Sequence, residues 1–273
     1  ELGLKLAKEK DADLVLATDP DADRLGVYVK DTKSGEYIPL TGNMSGSLLC
    51  EYVLSQKQAA GKIPADGQVV KSIVSTNLID AVAKSYGETT GHGTYLFGME
   101  ESYGCLIGTY ARDKDAISAT AALCEAAAYY KQKGMTLWDA MIAMYEKYGY
   151  YKDAVKAIGL SGIEGLAKIQ SIMETLRNNT PTEVGGYKVT SARDYKLDTI
   201  KNMATGEVKP TGLPSSNVLY YDLEDGAWIC VRPSGTEPKI KFYFGVKGTS
   251  LKDAEEKENA LGAAVMAMVD KMM

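Results

Sequence analysis

The sequence predicts an α/β fold followed by an α+β domain, and three observations predict it. Short apolar runs alternate with helical patterns over about 66–150, the rhythm of an α/β unit. From about 151 strand-like segments dominate, with a helical pattern before and after them. Hydrophobic residues make up 45% of the 273 residues and charged ones 25%, enough apolar material for ordinary globular cores.

Taken in order, residues 1–10 read as a helix end and 13–17 as a short buried strand. Residues 25–29 alternate as a second strand, and "DTKSGEYIPL" supplies a turn and a third. A helix over 43–60 carries Leu48, Leu49, Tyr52 and Val53 on its apolar face, and "GKIPADG" reads as a linker. Beyond it come a strand at 68–74, a helix at 77–86 and short strands at 94–97 and 105–109. Helices follow at 115–133 and 136–148, the second with Thr136 as N-cap. The C-terminal part predicts a helix at 162–177, strands near 187–195, 217–221, 227–231 and 239–246, and a last helix at 250–272. The expected domains are therefore 1–64, 65–150 and 151–273.

Composition narrows the function. A net charge of −5 without a basic cluster argues against nucleic acid. No run of ~18 apolar residues is present to cross a membrane. Cys50, Cys105, Cys124 and Cys230 show no C-x-x-C spacing, so a reduced, cytoplasmic setting is expected. The chain opens at Glu1 inside a helical pattern, which leads us to expect a part of a longer protein.

Four stretches carry chemistry. In "DLVLATDPDADRLGVYV", Asp19, Asp21 and Asp23 stand one residue apart between two strands. Carboxylates that close repel one another unless a cation neutralises them. Mg²⁺, with its six oxygens at roughly 2.1 Å, suits such a turn, and a solvated acidic turn is the alternative. An EF-hand is excluded, because Arg24 stands where the loop needs Gly and Lys30 where it needs Glu. In "FGMEESYG", Glu100 and Ser102 point to one side of an extended loop and Glu101 to the other, an arrangement that suits sugar hydroxyls. In "CVRPSGTEPKIKFYF", Arg232, Ser234, Gly235 and Thr236 offer a guanidinium, hydroxyls and backbone N–H groups to a phosphate, with Lys239 and Lys241 nearby. In "YARDKDA", Arg112 and Lys114 are placed to face a ligand, and Asp115 to cap a helix.

DPDADR, G-x-EES-x-G and RPSGTEP, in this order, resemble the α-D-phosphohexomutases, and the bacterial phosphoglucomutase/phosphomannomutase group most. The resemblance runs through essentially the whole chain. It implies phosphohexomutase-type α/β domains, one partial (1–64) and one near-complete (65–150), before a TATA-box-binding-protein-like α+β C-terminal domain (151–273). It implies interconversion of glucose 1-phosphate and glucose 6-phosphate through a phosphoserine enzyme and glucose 1,6-bisphosphate. In that scheme Asp19, Asp21 and Asp23 hold Mg²⁺, and Arg24 and Lys114 stand by the reacting group. Glu100 and Ser102 read the sugar, and Arg232, Ser234, Gly235 and Thr236 cradle the other phosphate.

Two features depart from the family pattern. The nucleophilic serine precedes His-Asn-Pro in the family, whereas His92, the one histidine, stands between Gly91 and Gly93. The expected partner of this chain is thus the N-terminal part of its own parent, and the chain alone is expected to be inactive. The segment 85–98 is also shorter than usual, either a short loop or one lacking residues, and His92 reads as a surface loop residue or as an echo of a histidine that some family members place near the sugar. Phosphomannomutase, phosphopentomutase and a non-catalytic sugar-phosphate or divalent-ion module remain alternatives.

Overall fold

The computed structural model describes residues 1–87, 93–160, 162–235 and 237–273. His92, Thr236 and the middle of the 85–98 segment lie outside them. The chain forms two compact units, Glu1–Gly149 and Tyr150–Met273.

The first unit opens with α1 (Leu2–Lys10) and an antiparallel sheet of β1 (Leu14–Thr18), β2 (Leu25–Lys30) and β3 (Tyr37–Leu40). Strict alternation buries Leu25, Val27 and Val29 of β2 and fixes its register against β1 from Leu14↔Val29 to Thr18↔Leu25. The acidic segment is therefore a hairpin loop. Helix α2 (Gly42–Ala59) starts where Thr41 Oγ1 accepts the Met44 N–H at 3.2 Å. Its first turns are built of Gly42, Ser45, Gly46 and Ser47, all buried, so other elements approach its backbone closely.

Next come β4 (Gly67–Lys71), α3 (Leu78–Ser85), β5 (Thr94–Glu100) and β6 (Gly104–Leu106). β4 pairs β5 in parallel and β5 pairs β6 antiparallel. α4 (Ala116–Gln132) is capped by Asp115, as the sequence predicts, and α5 (Leu137–Tyr148) by a reciprocal box of Thr136 and Asp139. The division expected at 64–65 falls inside this unit, where α2 packs against α3, α4, α5 and β5. An isolated bridge, Arg24↔Gly104, ties the two small sheets together, and the Leu25 N–H donates to the Tyr103 carbonyl at 3.1 Å.

The second unit is an antiparallel sheet with helices on one face. Its elements are β7 (Tyr150–Gly159), α6 (Gly162–Asn178), β8 (Glu183–Val184), β9 (Tyr187–Asp194), β10 (Thr199–Asn202) and β11 (Val208–Lys209). They continue with β12 (Leu219–Leu223), β13 (Trp228–Pro233), β14 (Lys239–Gly248) and α7 (Leu251–Asp270). The strand order is β11-β10-β9-β12-β13-β14-β7, with β8 on β9. Ile169, Ile172, Met173 and Leu176 of α6 and Leu261, Val265 and Val269 of α7 close over Ile229, Val231, Ile240, Phe242 and Phe244. Burying each such side chain contributes about 1.5–3 kcal/mol. Tyr220 stacks on Trp228 at 5.3 Å, and the Arg193 guanidinium lies 4.9 Å over the Tyr220 ring while paired to Asp222.

The sequence pattern did not predict β7, β8, β10 or β11. β7 is the edge strand of the sheet yet pairs with β14 along all ten of its residues. Its Lys152, Asp153 and Lys156 dilute the apolar signal that would mark a strand. Among the described residues no helix is long and apolar enough to cross a membrane.

Candidate functional site

The acidic hairpin loop is held by its own backbone. The Ala22 N–H donates to the Asp19 carbonyl at 3.1 Å, and the Arg24 N–H donates to Asp19 Oδ1 at 3.1 Å. The Ala22 carbonyl accepts the Ala116 N–H at 2.9 Å, so the loop also rests on the start of α4. Ala22 itself is left-handed, φ 57°, a strained conformation that turns the chain between Asp21 and Asp23. The result is a cluster: Asp19, Asp21 and Asp23 each present a carboxylate oxygen, all within 4.8 Å of one another.

This donor set fits a hard divalent cation. All three groups are oxygen ligands, and three carboxylates gathered at this range need positive charge to offset their repulsion. Protein cations reach only one of them among the described residues. Lys114 Nζ lies 3.1 Å and Arg24 Nε 3.8 Å from Asp23, while Asp19 and Asp21 have no ion pair.

The second loop is the turn between β5 and β6. Ser102 Oγ donates to Glu100 Oε1 at 3.0 Å, so these two side chains share one side, as alternation predicts. Glu101 faces away and accepts the Ser72 hydroxyl at 2.8 Å. Lys114 Nζ is 4.0 Å and Arg24 Nε 3.8 Å from Glu100, the same two cations that touch Asp23. The acidic hairpin loop and the β5–β6 turn are thus joined through a ring of Asp23, Lys114, Glu100 and Arg24.

Gly104 makes room for this ring. A Cβ there would lie 2.7 Å from Lys114 Cγ and 2.9 Å from Glu100 Cγ. The hydrogen bond from Lys114 to Asp113, at 2.8 Å, together with that to Asp23, raises the lysine's pKa against the opposing pull of burial. Lys114 is therefore a fixed positive charge at neutral pH. Asp113 is a residue for which the sequence pattern assigns no role, the alternating signs of Arg112-Asp113-Lys114 being the one signal of this ion pair. Arg112 is exposed and forms no ion pair among the described residues.

The third loop belongs to the second unit. Arg232 is exposed near the end of β13, paired across the ladder with Lys241 of β14, so both side chains stand on one face. The Ser234 N–H donates to the Lys239 carbonyl at 2.7 Å and closes the hairpin, leaving Gly235 exposed at its tip. Lys239 is engaged by Glu237 at 2.9 Å, whereas Arg232 and Lys241 have no ion pair among the described residues. Thr236 lies outside the described residues.

Comparison with known proteins defines the class. Over 95% of its length the chain is similar in fold to Paramecium parafusin, an exocytosis-sensitive phosphoprotein described as a phosphoglucomutase (TM-score 0.62, 16% identity, 45% of that chain). It is also similar to a phosphomannomutase-type structure from Thermus thermophilus (TM-score 0.58, 19% identity, 98% of this chain and 49% of that one). The fold is thus that of the phosphohexomutases.

The phosphoglucomutase/phosphomannomutase α/β/α domain III matches residues 41–148, and the C-terminal domain of the same family matches 178–261. A phosphoglucomutase of Staphylococcus aureus (strain MSSA476) is 35% identical over 277 residues, covering 94% of this chain and 49% of the relative. The chain belongs to the phosphoglucomutase/phosphomannomutase family and spans about half the length of the curated relatives it matches.

Proposed function

We propose that this chain supplies the metal, sugar and phosphate contacts of a phosphoglucomutase. Such an enzyme interconverts glucose 1-phosphate and glucose 6-phosphate through a phosphoserine and glucose 1,6-bisphosphate. The observation that carries the reading is the Asp23–Lys114–Glu100–Arg24 ring, which joins a carboxylate cluster to hydroxyl-reading side chains. Asp19, Asp21 and Asp23 would hold Mg²⁺, which when bound offsets the charge that spreads over a phosphoryl group in transfer.

Lys114 and Arg24 act on the same charge from the protein side. Lys114 is held by Asp113 and Asp23 before the ligand arrives, and Arg24 stands within ion-pair range of Asp23 and Glu100, so little reorganisation is needed at the moment of transfer. Glu100 and Ser102 accept hydrogen bonds from sugar hydroxyls and so orient the reacting oxygen. Arg232, Ser234, Gly235 and Thr236 bind the phosphate that is not being transferred, as charge-assisted donors. Glucose is preferred over mannose or pentose phosphates on the strength of the EES turn and the similarity to phosphoglucomutases.

No Ser-His-Asn-Pro stretch occurs in the 273 residues, so the phosphoryl donor comes from the remainder of a longer parent and this chain alone does not turn over substrate. The four free thiols fit a reducing, cytoplasmic location. Calorimetric titration with glucose 1-phosphate, with and without Mg²⁺, tests the reading together with a coupled assay for glucose 6-phosphate. Binding of glucose 1-phosphate without turnover is expected. Tighter binding of mannose 1-phosphate or ribose 1-phosphate refutes the substrate, and turnover by the chain alone refutes the missing donor.

A further inference from the structure

We infer that Glu101 is a positioning residue, which sets the direction of Glu100 and Ser102 by anchoring the backbone between them to Ser72. The inference rests on the sugar-reading role given above to Glu100 and Ser102. Glu101, Ser102 and Tyr103 form the three-residue turn between β5 and β6, so a Glu101 side chain held on one side fixes the backbone that carries Glu100 and Ser102. Glu101 Oε2 accepts the Ser72 hydroxyl at 2.8 Å, and Ser72 Oγ lies 2.8 Å from Ser75 Oγ.

The anchor is itself immobilised. The Ser72 N–H donates to the Met99 carbonyl at 3.2 Å, and the Ser75 N–H donates to the Ser72 carbonyl at 3.0 Å. Lys71 Nζ gathers the Thr76 carbonyl at 3.2 Å, Asn77 Oδ1 at 3.0 Å and Asp80 Oδ2 at 2.6 Å. The Thr76 N–H donates to Asn43 Oδ1 at 3.0 Å, which ties the same segment to α2. Ser75 and Thr76 are buried, so the anchor stands on core. On the other flank of Glu101, Tyr103 is held at φ 71°, a conformation that a tyrosine keeps only when its surroundings impose it. Without Ser72, an aromatic residue in that conformation favours relaxation of the turn.

Ser72→Ala removes the anchor, Glu101→Ala removes its partner, and Glu101→Gln keeps an oxygen that can accept the same hydrogen bond. The test measures Mg²⁺ and glucose 1-phosphate affinities of the wild-type chain and these variants, with a crystal structure of Ser72→Ala. Ser72→Ala and Glu101→Ala are expected to weaken glucose 1-phosphate about tenfold at unchanged Mg²⁺ affinity. Glu101→Gln is expected to recover most of that loss, and the Ser102–Glu100 contact to be broken in the variant crystal. A turn 100–104 that stays in place in Ser72→Ala overturns the inference, as does a parallel fall in Mg²⁺ affinity. If the wild-type chain binds no glucose 1-phosphate, the functional reading fails, and the position of the turn in the variant crystal still decides the positioning role.

Discussion

Gly42→Ala sets two effects of opposite sign against each other. Gly42 is the first residue of α2, and it is not in the left-handed region, so helix propensity alone favours alanine by up to about 1 kcal/mol. A Cβ at this position, however, would lie 2.9 Å from the Glu101 carbonyl carbon, and closer still to the Glu101 oxygen and the Tyr103 nitrogen. All three are backbone atoms of the β5–β6 turn, so no side-chain rotation relieves the overlap. Overpacking of this kind costs about 1–3 kcal/mol, which outweighs the propensity term.

The net expectation is a loss of about 1–2 kcal/mol, with the turn that carries Glu100 and Ser102 pushed off α2. Gly46→Ala is the control. There a Cβ would meet Met99 Sδ at 2.6 Å and Cε at 2.8 Å, the far end of a flexible side chain, so a smaller loss is expected. Urea denaturation gives the stabilities, and the fluorescence of Trp138, the tryptophan of the first unit, reports that unit's transition. An unchanged or more stable Gly42→Ala, or a Gly46→Ala that loses more, would show that the turn yields to the added methyl.

Asp139 gives a pH prediction. The hydrogen bond from Lys33, with those from the Thr136 N–H and hydroxyl, lowers its carboxyl from 3.8 to about 2. The unfolded chain takes up this proton first, so the stabilisation is complete above about pH 4 and is lost as pH falls toward 2. Asp139→Asn should cost about 1–2 kcal/mol at neutral pH in urea denaturation, with the gap to wild type closing in acid; a gap independent of pH contradicts this. Asp21→Asn, at the most exposed of the three aspartates, should weaken Mg²⁺ in calorimetry at least about tenfold with stability unchanged. Arg232→Ala should weaken glucose 6-phosphate by about tenfold or more, while the melting temperature of the chain stays put, since Arg232 is exposed and has no ion pair among the described residues.

Local chemistry was legible in the sequence, and non-local contacts were not. The alternation of Leu25, Val27 and Val29 placed the acidic loop between two strands, and the two-residue spacing of Glu100 and Ser102 put them on one side. Thr136 and Asp115 announced their helices because a cap acts within three residues. By contrast, β7 is an edge strand whose charged residues mask its pairing, and β10, half of it exposed, and the exposed β11 are short and supported by pairing to their neighbours. The approach of Gly42 to the turn 101–103 and the bond of Ser72 to Glu101 join residues far apart in the chain, and no pattern of residue types signals them. The ring linking Asp23 to Glu100 depends on Lys114, whose reach into both loops follows from the packing of α4.

The site is tested most directly by whether a divalent ion on Asp19, Asp21 and Asp23 shares its shell with the phosphate being transferred, one of the two carried by glucose 1,6-bisphosphate. Mn²⁺ in place of Mg²⁺ makes this measurable as paramagnetic relaxation of the ³¹P nuclei of glucose 1,6-bisphosphate. Strong, inner-sphere relaxation of one of the two nuclei is expected in the wild-type chain, collapsing in Asp21→Asn. Relaxation no greater than that from free Mn²⁺, or relaxation that Asp21→Asn leaves intact, would contradict the shared shell.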